Sequence, residues 1–438
     1  MRRTPALLFL VAVCLPAQDL PPGVLALSRI RARVRQAVDR LPDCTCVETV
    51  DRYWKPAGKE KGTAPVDRVV LQILFSGGKE LFAAPGDTRW DADPMAFLAS
   101  GMMGNGIFAV DLQVVFLNDQ SIIAYKGDES HAGRRQARYD FYSSSMMSGY
   151  TLQRAGASGA VAIRGSFWAD PETYDLLRME FHAEEIPPQL GYSAVSTLID
   201  YDRVRIGGSD VLLPQAADLR TIGVDSERKW NHIEFTHCQG FNTESAMSFG
   251  AAEVSAATGP AVAPAPPMEE STLAAGLRIV IALNAPLEDR SPVGSLIEGK
   301  VAGSVMQKGK VLIPDGAPVQ GRIRRLERYS DIGGYFTVGL EFMRIQTPSG
   351  SLRFYADLQD VDRPEGVEMV LGDARVTKEG EFSGFGQQTK WSQTDRVHIT
   401  THEVPGVGTF FVRGARFSLP PGFKTVWKTQ AYPRSGRP

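Results

Sequence analysis

The sequence predicts an α+β fold in which antiparallel β-structure predominates. From Cys44 onward, most of the chain consists of strand-length runs that alternate apolar and polar residues between turns rich in Gly, Pro, Asp or Asn. Helical periodicity is limited to a segment after Pro22 and another at residues 93–116. The 438 residues also exceed the usual size of a single core, which predicts two domains.

The N-terminus has the layout of a secretory signal peptide at residues 1–18. Arg2 and Arg3 precede an apolar run, and small residues near Ala17 mark the expected cleavage site. A lipoprotein signal that modifies Cys14 is the alternative, but Val13 is larger than the residue that such processing requires. We therefore expect a periplasmic or secreted protein with no integral membrane span after cleavage. The formal net charge of −2 gives no basic excess, which argues against a nucleic-acid partner.

The segment that starts at Pro22 predicts an amphipathic helix that ends at Pro42. Its apolar residues recur at helical spacing: Leu27, Ile30, Val34, Val38 and Leu41. Five arginines lie off that stripe: Arg29, Arg31, Arg33, Arg35 and Arg40. We expect the arginine face to be the solvated side of the helix, and contact with anionic lipid is the alternative.

Two hairpins are predicted in the first half of the chain. Residues 66–86 form two apolar runs around a Gly77-Gly78 turn. Residues 165–181, GSFWADPETYDLLRMEF, form an aromatic strand, a polar turn and a second strand. The charged residues there are Asp170, Glu172, Asp175, Arg178 and Glu180. They lie at the turn or opposite the apolar side chains, so we interpret them as a solvated hairpin and not as a catalytic carboxylate pair, which would require burial.

Residues 93–116 are expected to be helical on either side of a break at Gly101, Gly104 and Gly106. The segment supplies the candidate lining of a pocket for an acyl chain or another apolar ligand. The candidate residues are Met95, Phe97, Leu98, Met102, Met103, Ile107 and Phe108. The alternative is that these side chains complete the core. GNGIFA at 104–109 approximates a dinucleotide-binding motif, but no βαβ pattern surrounds it.

Three cysteines remain after signal cleavage, and an exported chain is expected to pair two of them. We expect a Cys46–Cys238 disulfide with Cys44 left as a free thiol, and Cys44–Cys238 is the alternative. A metal or redox site at the C-x-C pair lacks further ligands.

The histidine pairs do not predict a metal site or a cofactor. His398 and His402 would stand about 13 Å apart on a strand, too far to share a metal. His232 and His237 would face opposite sides of a strand. The sequence also lacks the common nucleophile and phosphate-binding motifs, so we expect no enzyme and no cofactor.

Composition changes at residues 250–272, where Ala and Pro predominate and periodicity is lost. This predicts a semi-rigid linker between a domain at 19–249 and a domain at 273–438. The second domain has regular short strands, such as LRIVIALNAPL and GYFTVGLEFMRI, which predict an all-β barrel or sandwich. A polar loop at 377–396 interrupts it.

The first domain resembles the outer-membrane lipoprotein carriers of the LolA and LolB type. The resemblance covers residues 24–249 and is carried by an N-terminal amphipathic helix, consecutive strands with inserted helices, and the tryptophan and Asp-Pro-x-Thr of GSFWADPETYDLLRMEF. It implies a half-barrel with inserted helices whose concave face holds acyl chains. The predicted disulfide, linker and second domain depart from that family.

The second domain resembles, over residues 277–360, the β-barrel of TrbI-type secretion-channel proteins. The similarity lies in SPVGSLIEGKVAGSV and VLIPDGAPVQGRIRRL, where an Ile-Pro turn precedes a glycine-containing strand. The whole chain also resembles exported two-domain proteins of environmental bacteria, which implies a location in the cell envelope.

Three functions follow as hypotheses. The first is a non-enzymatic envelope protein that binds a hydrophobic small molecule or a lipidated protein. The second is a structural or adaptor protein of an envelope or secretion assembly, with an envelope protein as partner. The third is an enzyme, such as a hydrolase, that uses the Glu- and Asp-bearing loops, although the sequence places no nucleophile and base together.

Overall fold

The computed structural model confirms a β-rich α+β fold, with 58% strand and 11% helix. The structure describes residues 22–55, 65–108, 110–118, 120–154, 157–241, 270–329, 334–369, 375–376, 381–383, 389–390 and 404–431. Several predictions from the sequence lie outside these residues: the signal peptide, Cys14, most of the linker, and the pair His398 and His402. Most of the polar loop at 377–396 also lies outside them.

The first part of the chain forms a curled, ten-stranded antiparallel half-barrel. Its strands are β1 Cys44–Lys55, β2 Asp67–Ser76, β3 Lys79–Ala83, β4 Ile122–His131, β5 Arg134–Ser143, β8 Ala162–Ala169, β9 Leu176–Glu184, β10 Tyr192–Ile206, β11 Ser209–Gly223 and β12 Arg228–Gly240. A separate pair, β6 Thr151–Arg154 and β7 Ala157–Ala160, lies beside it. The order across the sheet is β3-β2-β1-β12-β11-β10-β9-β8-β5-β4, so β1 pairs with the last strand.

Both predicted hairpins are present. The Gly77-Gly78 turn joins β2 to β3, and both glycines have positive φ, as such a tight turn requires. In the second hairpin, Ala162 pairs with Glu184, and the Asp170 carboxylate accepts hydrogen bonds from the backbone N–H groups of Glu172 and Thr173. Asp170 therefore caps the turn.

Helix α1, Pro22–Asp39, begins at the predicted proline and buries Ile30 and Val34 in the core. The sequence predicted that the arginine face is solvated, but the structure shows that it is only partly so. Arg29 donates to the Tyr174 hydroxyl at 2.6 Å, and Arg33 donates to Asp175 at 2.9 Å. The predicted hairpin turn thus holds the helix through two of its arginines.

The segment at residues 93–116 is less helical than expected. It contains a 3-10 turn at Pro94–Phe97, a short α-helical turn α2 at Val110–Leu112 and a π-helical turn at Gln113–Leu117. Gly101 and Gly106 have φ of +96° and +92°, which ends regular helix between these turns. Outside this segment, helix α3 spans Ser145–Ser148 and a second 3-10 turn spans Pro188–Leu190.

The second part of the chain is all-β in the residues described, as predicted. Its strands are β13 Glu270–Thr272, β14 Arg278–Leu283, β15 Leu287–Glu288, β16 Leu296–Val301, β17 Val305–Gln307, β18 Lys310–Ile313, β19 Pro318–Tyr329, β20 Tyr335–Thr347, β21 Gly350–Arg353, β22 Ala356–Val361, β23 Val367–Met369, β24 Arg375–Val376, β25 Glu381–Ser383, β26 Thr389–Lys390, β27 Gly408–Arg413, β28 Ser418–Leu419 and β29 Lys424–Thr429.

Ten of these strands form the second sheet, in which β20 is the branching strand. The main path is β13-β21-β20-β19-β16-β14-β29-β22, and β27 joins β20 to β23. Strand β13 consists of the last three residues of the predicted linker and pairs in parallel with β21. The division into domains at 19–249 and 273–438 remains a prediction.

The Cys46–Cys238 disulfide links β1 to β12, with a Cα–Cα distance of 4.1 Å. Cys44, two residues away on the same face of β1, is a buried free thiol. Burial, reinforced by the charge of Asp43, raises the pKa of this thiol to about 11. Cys44 therefore stays protonated at neutral pH, which suppresses exchange with the adjacent disulfide.

Replacing Asp175 by Asn should weaken the attachment of α1. Its carboxylate accepts hydrogen bonds from Arg33 and Arg203, and Asp175→Asn should lower the free energy of unfolding by about 1–2 kcal/mol. Urea unfolding would measure the loss. Glu172→Gln, an exposed carboxylate in the same turn, is the control and should change stability by less than about 0.5 kcal/mol. Equal effects of the two variants would contradict this role.

The Cys44 thiol should resist alkylation in the folded protein because it is buried and protonated. Iodoacetamide at pH 8 should leave the Cys44 peptide unmodified until urea is added, as read by peptide mass spectrometry without reductant. Cys44→Ser should remove that signal and keep the disulfide. Rapid labelling of the native protein would show that Cys44 is accessible.

Candidate functional site

The concave face of the first sheet is covered by residues 93–118, with 109 outside the described residues; we call this segment the plug. Its Phe108 ring packs edge-on against Phe235 of β12, with ring centroids 5.0 Å apart. Near its other end, Phe116 packs against Phe167 of β8 at 4.8 Å. Strands far apart in the sheet order thus contact one irregular segment.

The structure places six of the seven candidate lining residues in or against the hydrophobic core, and Met102 is the exception. Four are buried: Phe97, Leu98, Ile107 and Phe108. The three methionines, Met95, Met102 and Met103, are half-buried, and the main-chain carbonyl of Met102 accepts a hydrogen bond from the Asn231 side chain at 2.8 Å. None of the seven lines either of the two cavities described below. Whether they contact a ligand remains a proposal.

On and beside the plug lies a group of polar side chains that the sequence did not reveal; we call it the acid cluster. Its members are Glu48 of β1, Glu80 of β3, Asp111 of the plug, Tyr201 of β10 and Tyr150, which precedes β6. Glu48, Asp111 and Tyr201 in it are buried, and Glu80 and Tyr150 are half-buried. Glu80 holds the plug directly. Its carboxylate accepts hydrogen bonds from the backbone N–H groups of Gly106, at 2.5 Å, and of Phe108, at 2.8 Å.

Several polar atoms of the acid cluster have no hydrogen-bond partner. Within the described residues, Glu48 Oε2, Asp111 Oδ1 and Tyr201 OH are buried and unpaired. Leaving a buried polar group unpaired costs about 1–3 kcal/mol. Native interiors rarely retain such groups unless water, an ion or a ligand satisfies them.

The carboxyl groups of the acid cluster favour the neutral form. Burial, with a smaller effect from the charge of Glu80, raises the pKa of Glu48 to about 8. The same two causes raise the pKa of Asp111 well above its ordinary range. A neutral carboxyl group donates one hydrogen bond and accepts others, so at neutral pH these groups can bind a polar molecule without the cost of a buried charge.

A second buried network fixes the beginning of the plug to both sheets. Arg52 of β1 forms a two-armed ion pair with Asp67 and donates to the main-chain carbonyl of Ser100 at 2.7 Å. The Ser100 hydroxyl donates to Glu327 of β19, which also accepts from Arg325 at 2.8 Å and from the Tyr329 hydroxyl at 2.6 Å.

The charges in this network compensate one another. Burial alone would raise the pKa of Glu327, but the positive charges of Arg325 and Arg52 and the hydrogen bonds from Ser100 and Tyr329 lower it. Glu327 is therefore held as a carboxylate. Gly101 is needed beside the network, because a Cβ atom there would stand 1.9 Å from an Arg52 nitrogen.

Two more arginines of β19 join the second sheet to the first part of the chain. Arg324 donates to the Ala96 carbonyl at 2.8 Å, and its own carbonyl accepts from the Ala99 N–H at 3.1 Å. Arg322 donates to the Pro85 carbonyl at 2.7 Å and to the Gly294 carbonyl at 3.0 Å. Strand β19 thus lies against the plug and is hydrogen-bonded to its first turn.

Two cavities lie elsewhere. The first, of about 70 Å³, adjoins the disulfide and is lined by residues that include Thr45, Trp90 and Phe241. The second is an open groove of about 470 Å³ on β4, β5, β8 and β9, lined mainly by polar residues such as Arg138, Asp140 and Glu180. Neither contains the acid cluster.

The remaining side chains that could support catalysis or metal binding are separated in the described residues. His232 contacts Asp218 at 2.8 Å, and that carboxylate also accepts from Trp230. His237 lies elsewhere on β12 and contacts Thr236. The described part of the chain has no set of three or more His, Cys, Asp or Glu side chains arranged to hold a metal.

Alternation along β1 is the signal in the sequence that could have indicated Glu48. Cys44, Cys46, Val50 and Arg52 all face inward, and Glu48 falls on the same face. Tyr201 carries the same signal, because it continues the inward alternation of Val195, Thr197 and Ile199 along β10. Asp111 carries none, because the plug is irregular.

Comparison with known proteins gives matches in structure only. No family model and no curated protein matches the sequence. An outer membrane lipoprotein-sorting protein domain from Vibrio parahaemolyticus is 10% identical, with 51% of this chain and 97% of that chain covered and a TM-score of 0.28. A DUF1329 family protein from Desulfovibrio piger is 13% identical over 52% and 98%, with a TM-score of 0.27.

A third structure is ComB10 of the Com Type IV secretion system of Helicobacter pylori. It is 14% identical, with 37% of this chain and 92% of that chain covered and a TM-score of 0.18. The structures similar to this chain thus include a lipoprotein-sorting protein domain and a secretion-system protein. In the described residues, no helix combines the length and apolar character required to cross a bilayer.

Replacing Glu48 by Gln should remove a pH dependence of stability. The unfolded chain ionises Glu48 near its ordinary pKa of 4.5, whereas the native state keeps the proton up to about pH 8. Its contribution to stability is therefore fully present below pH 4.5 and is lost as the pH rises through 8, at up to about 1.4 kcal/mol per pH unit.

Urea unfolding of wild type and Glu48→Gln at pH 5 and pH 8 would measure this effect. The free energy of unfolding of Glu48→Gln minus that of wild type should be several kcal/mol larger at pH 8 than at pH 5. Glu234→Gln, an exposed carboxylate on β12, is the control and should show a constant difference. A constant difference for Glu48→Gln would mean that Glu48 is not held neutral.

Proposed function

We propose that this chain is a non-enzymatic protein of the cell envelope that binds a hydrophobic ligand or a lipidated partner inside the first sheet. In this proposal the plug is a displaceable cover. The ligand takes the place of the plug against the apolar inward face of the half-barrel. The observation that carries the proposal is that, within the described residues, buried polar atoms of Glu48, Tyr201 and the plug residue Asp111 have no hydrogen-bond partner around an irregular segment.

The construction of the plug supports displacement. Its described helical turns are short, so few backbone hydrogen bonds within the segment would be lost on opening. Gly101 and Gly106 provide positions where the backbone direction can change. The beginning of the plug is fixed to β19 through Ala96, Ala99 and Ser100, which makes the part after Gly101 the mobile cover in this proposal.

A closed plug competes with the ligand, which gives the proposal a quantitative consequence. If the ligand binds only to molecules whose plug is displaced, the fraction of molecules in that state limits the apparent affinity. Any change that destabilises only the closed plug should therefore tighten binding. A change that destabilises the sheet elsewhere should not.

Gly106→Ala tests this competition. Gly106 has φ of +92°, and an added Cβ would lie 3.1 Å from Val110 Cβ, so the substitution should strain the closed plug by about 1–2 kcal/mol. A titration with the neutral apolar fluorophore N-phenyl-1-naphthylamine should give a Kd about 5–30-fold lower than that of wild type.

Gly208→Ala is the matched control. Gly208 also has positive φ, but it lies in the turn between β10 and β11, where an added Cβ would contact nothing within 4 Å. This variant should bind the fluorophore as wild type does. Absence of fluorophore binding by wild type, together with no co-purifying lipid in native mass spectrometry, would overturn the proposal. Equal tightening by both variants would show that the plug is not the competing element.

The expected location and partners follow from the same proposal. Export would place the chain in the periplasm or outside the cell, where its ligand is an apolar small molecule or the acyl group of a lipidated protein. The first turn of the plug is hydrogen-bonded to β19 and so connects the binding face to that strand. A partner of the second sheet could therefore affect ligand exchange through Glu327 and Arg324.

A further inference from the structure

We propose that the groove on the outward face of β4, β5, β8 and β9 is a second binding site, and that it takes a stretch of a neutral polyhydroxylated chain, that is, of a glycan. We call this groove, whose floor is lined by Ala124, Asp140 and Ser166, the trough. Its volume of about 470 Å³ is within the range of ligand-binding clefts. It lies on the face of the sheet opposite the plug, so the inference goes beyond the proposed function and does not depend on it.

The strand register places the floor of the trough in one row across four strands. Ala124 of β4 pairs with Asp140 of β5, which pairs with Ser166 of β8. Ser166 in turn pairs with Glu180 of β9. Neighbouring strands lie about 4.8 Å apart, so the row crosses the sheet over about 14 Å. Three of these four side chains are short, which leaves a depression that ends at Glu180.

Longer side chains form a wall on each side of this floor. On one side, Tyr142 pairs with Arg164, whose guanidinium group lies over the Tyr142 ring at 4.7 Å. On the other side, Arg138 pairs with Trp168 and lies over its ring at 5.7 Å. Stacking on an aromatic ring holds both guanidinium groups beside the floor. The polar walls are therefore in place before a ligand arrives, which lowers the entropic cost of binding.

Hydrogen bonds hold the floor of the trough. The Ser166 hydroxyl donates to Asp140 at 2.7 Å. Arg138 donates to Asp140 at 3.3 Å and to Ser166 at 3.2 Å, and Lys126 lies 3.5 Å from the same carboxylate. Burial acts to raise the pKa of Asp140, but these contacts outweigh it and lower the pKa. Asp140 is therefore an ionised, oriented acceptor at the centre of the trough.

The charges in and beside the trough balance, which favours a neutral ligand. The positive side chains are Lys126, Arg138 and Arg164, and the negative ones are Asp140, Glu180 and Glu184, which accepts from Arg164 at 2.7 Å. An ionised ligand therefore gains no net attraction. A hydroxyl group both donates and accepts, and the trough offers donors on its arginines and acceptors on its carboxylates. Repeated hydroxyl groups along a chain match this alternation of donors and acceptors.

The trough opens at one edge of the sheet, which favours a polymer over a compact molecule. In the described residues, β4 is the last strand of the first sheet. Ile122, which lines this end of the trough, is 71% exposed. A chain longer than the trough can therefore continue past the edge of the sheet, with only part of its length bound.

Calorimetric titration of the full chain with four hexasaccharides tests the inference at pH 7. Two are neutral, built from N-acetylglucosamine or from glucose; one is cationic, built from glucosamine; and one is anionic, built from galacturonic acid. A neutral chain should bind at least about fivefold more tightly than either charged chain. The neutral chain that binds more tightly identifies the kind of glycan. Raising the salt from 50 to 500 mM should change its Kd by less than about twofold.

Substitutions that fill the floor locate the site. Ser166→Leu fills its centre and should weaken binding of the neutral chain at least about tenfold. Ala124→Leu fills the end of the floor and removes no side-chain hydrogen bond, so it should weaken binding even if Ser166→Leu fails to fold. Ser158→Leu is the matched control, because Ser158 is exposed on β7 outside the trough, and it should keep the wild-type Kd.

The outcomes separate this inference from the proposed function. Wild type that binds neither neutral hexasaccharide at about 1 mM, or that prefers a charged one, would overturn the glycan site. Equal weakening by Ser158→Leu would overturn it as well. Displacement of N-phenyl-1-naphthylamine by a hexasaccharide would place the glycan inside the half-barrel and so overturn the trough as its site. Failure of the fluorophore to bind would remove only the proposed function.

Discussion

The buried ion pair between Arg52 and Asp67 is the contact on which the rest of the arrangement depends. Arg52 also bonds the Ser100 carbonyl, and through Ser100 the network reaches Glu327 of the second sheet. Removing one partner of a buried pair leaves an uncompensated charge, at a cost of about 3–5 kcal/mol. Arg52 therefore holds the plug at Ser100, next to Glu327 of β19.

The plug combines well-packed aromatic side chains with incompletely paired polar groups. Its phenylalanines occupy the core as well-packed residues do, with Phe108 and Phe116 against aromatic partners. Its polar groups are not all paired. Glu80 accepts hydrogen bonds from two backbone N–H groups, whereas one buried oxygen of Asp111 has no partner in the part of the chain that the structure describes. A segment that serves only as core gains nothing from such a residue, since an apolar side chain of similar size would avoid the desolvation cost.

Local patterns in the sequence predicted most elements of the fold. Strand alternation and the Gly77-Gly78 turn gave the first hairpin, helical spacing after Pro22 gave α1, and the cysteines gave the disulfide. The candidate site was not predictable in the same way. Glu48 occupies an inward position where a carboxylate is not expected, and the link from Arg52 through Ser100 to Glu327 joins residues that no local pattern relates. The role of the arginines on α1 likewise depended on where the turn containing Asp175 came to lie.

The disulfide between β1 and β12 has a consequence for how the first sheet is assembled. Its cysteines are separated by 192 residues, and β1 has as one neighbour the final strand of that sheet. During synthesis, β2 can pair with β1 early, but the other edge of β1 stays open until residue 240 has emerged. An unpaired strand edge invites association with other chains. The nascent chain thus has a long interval in which a chaperone that shields this edge would improve the yield of folded protein.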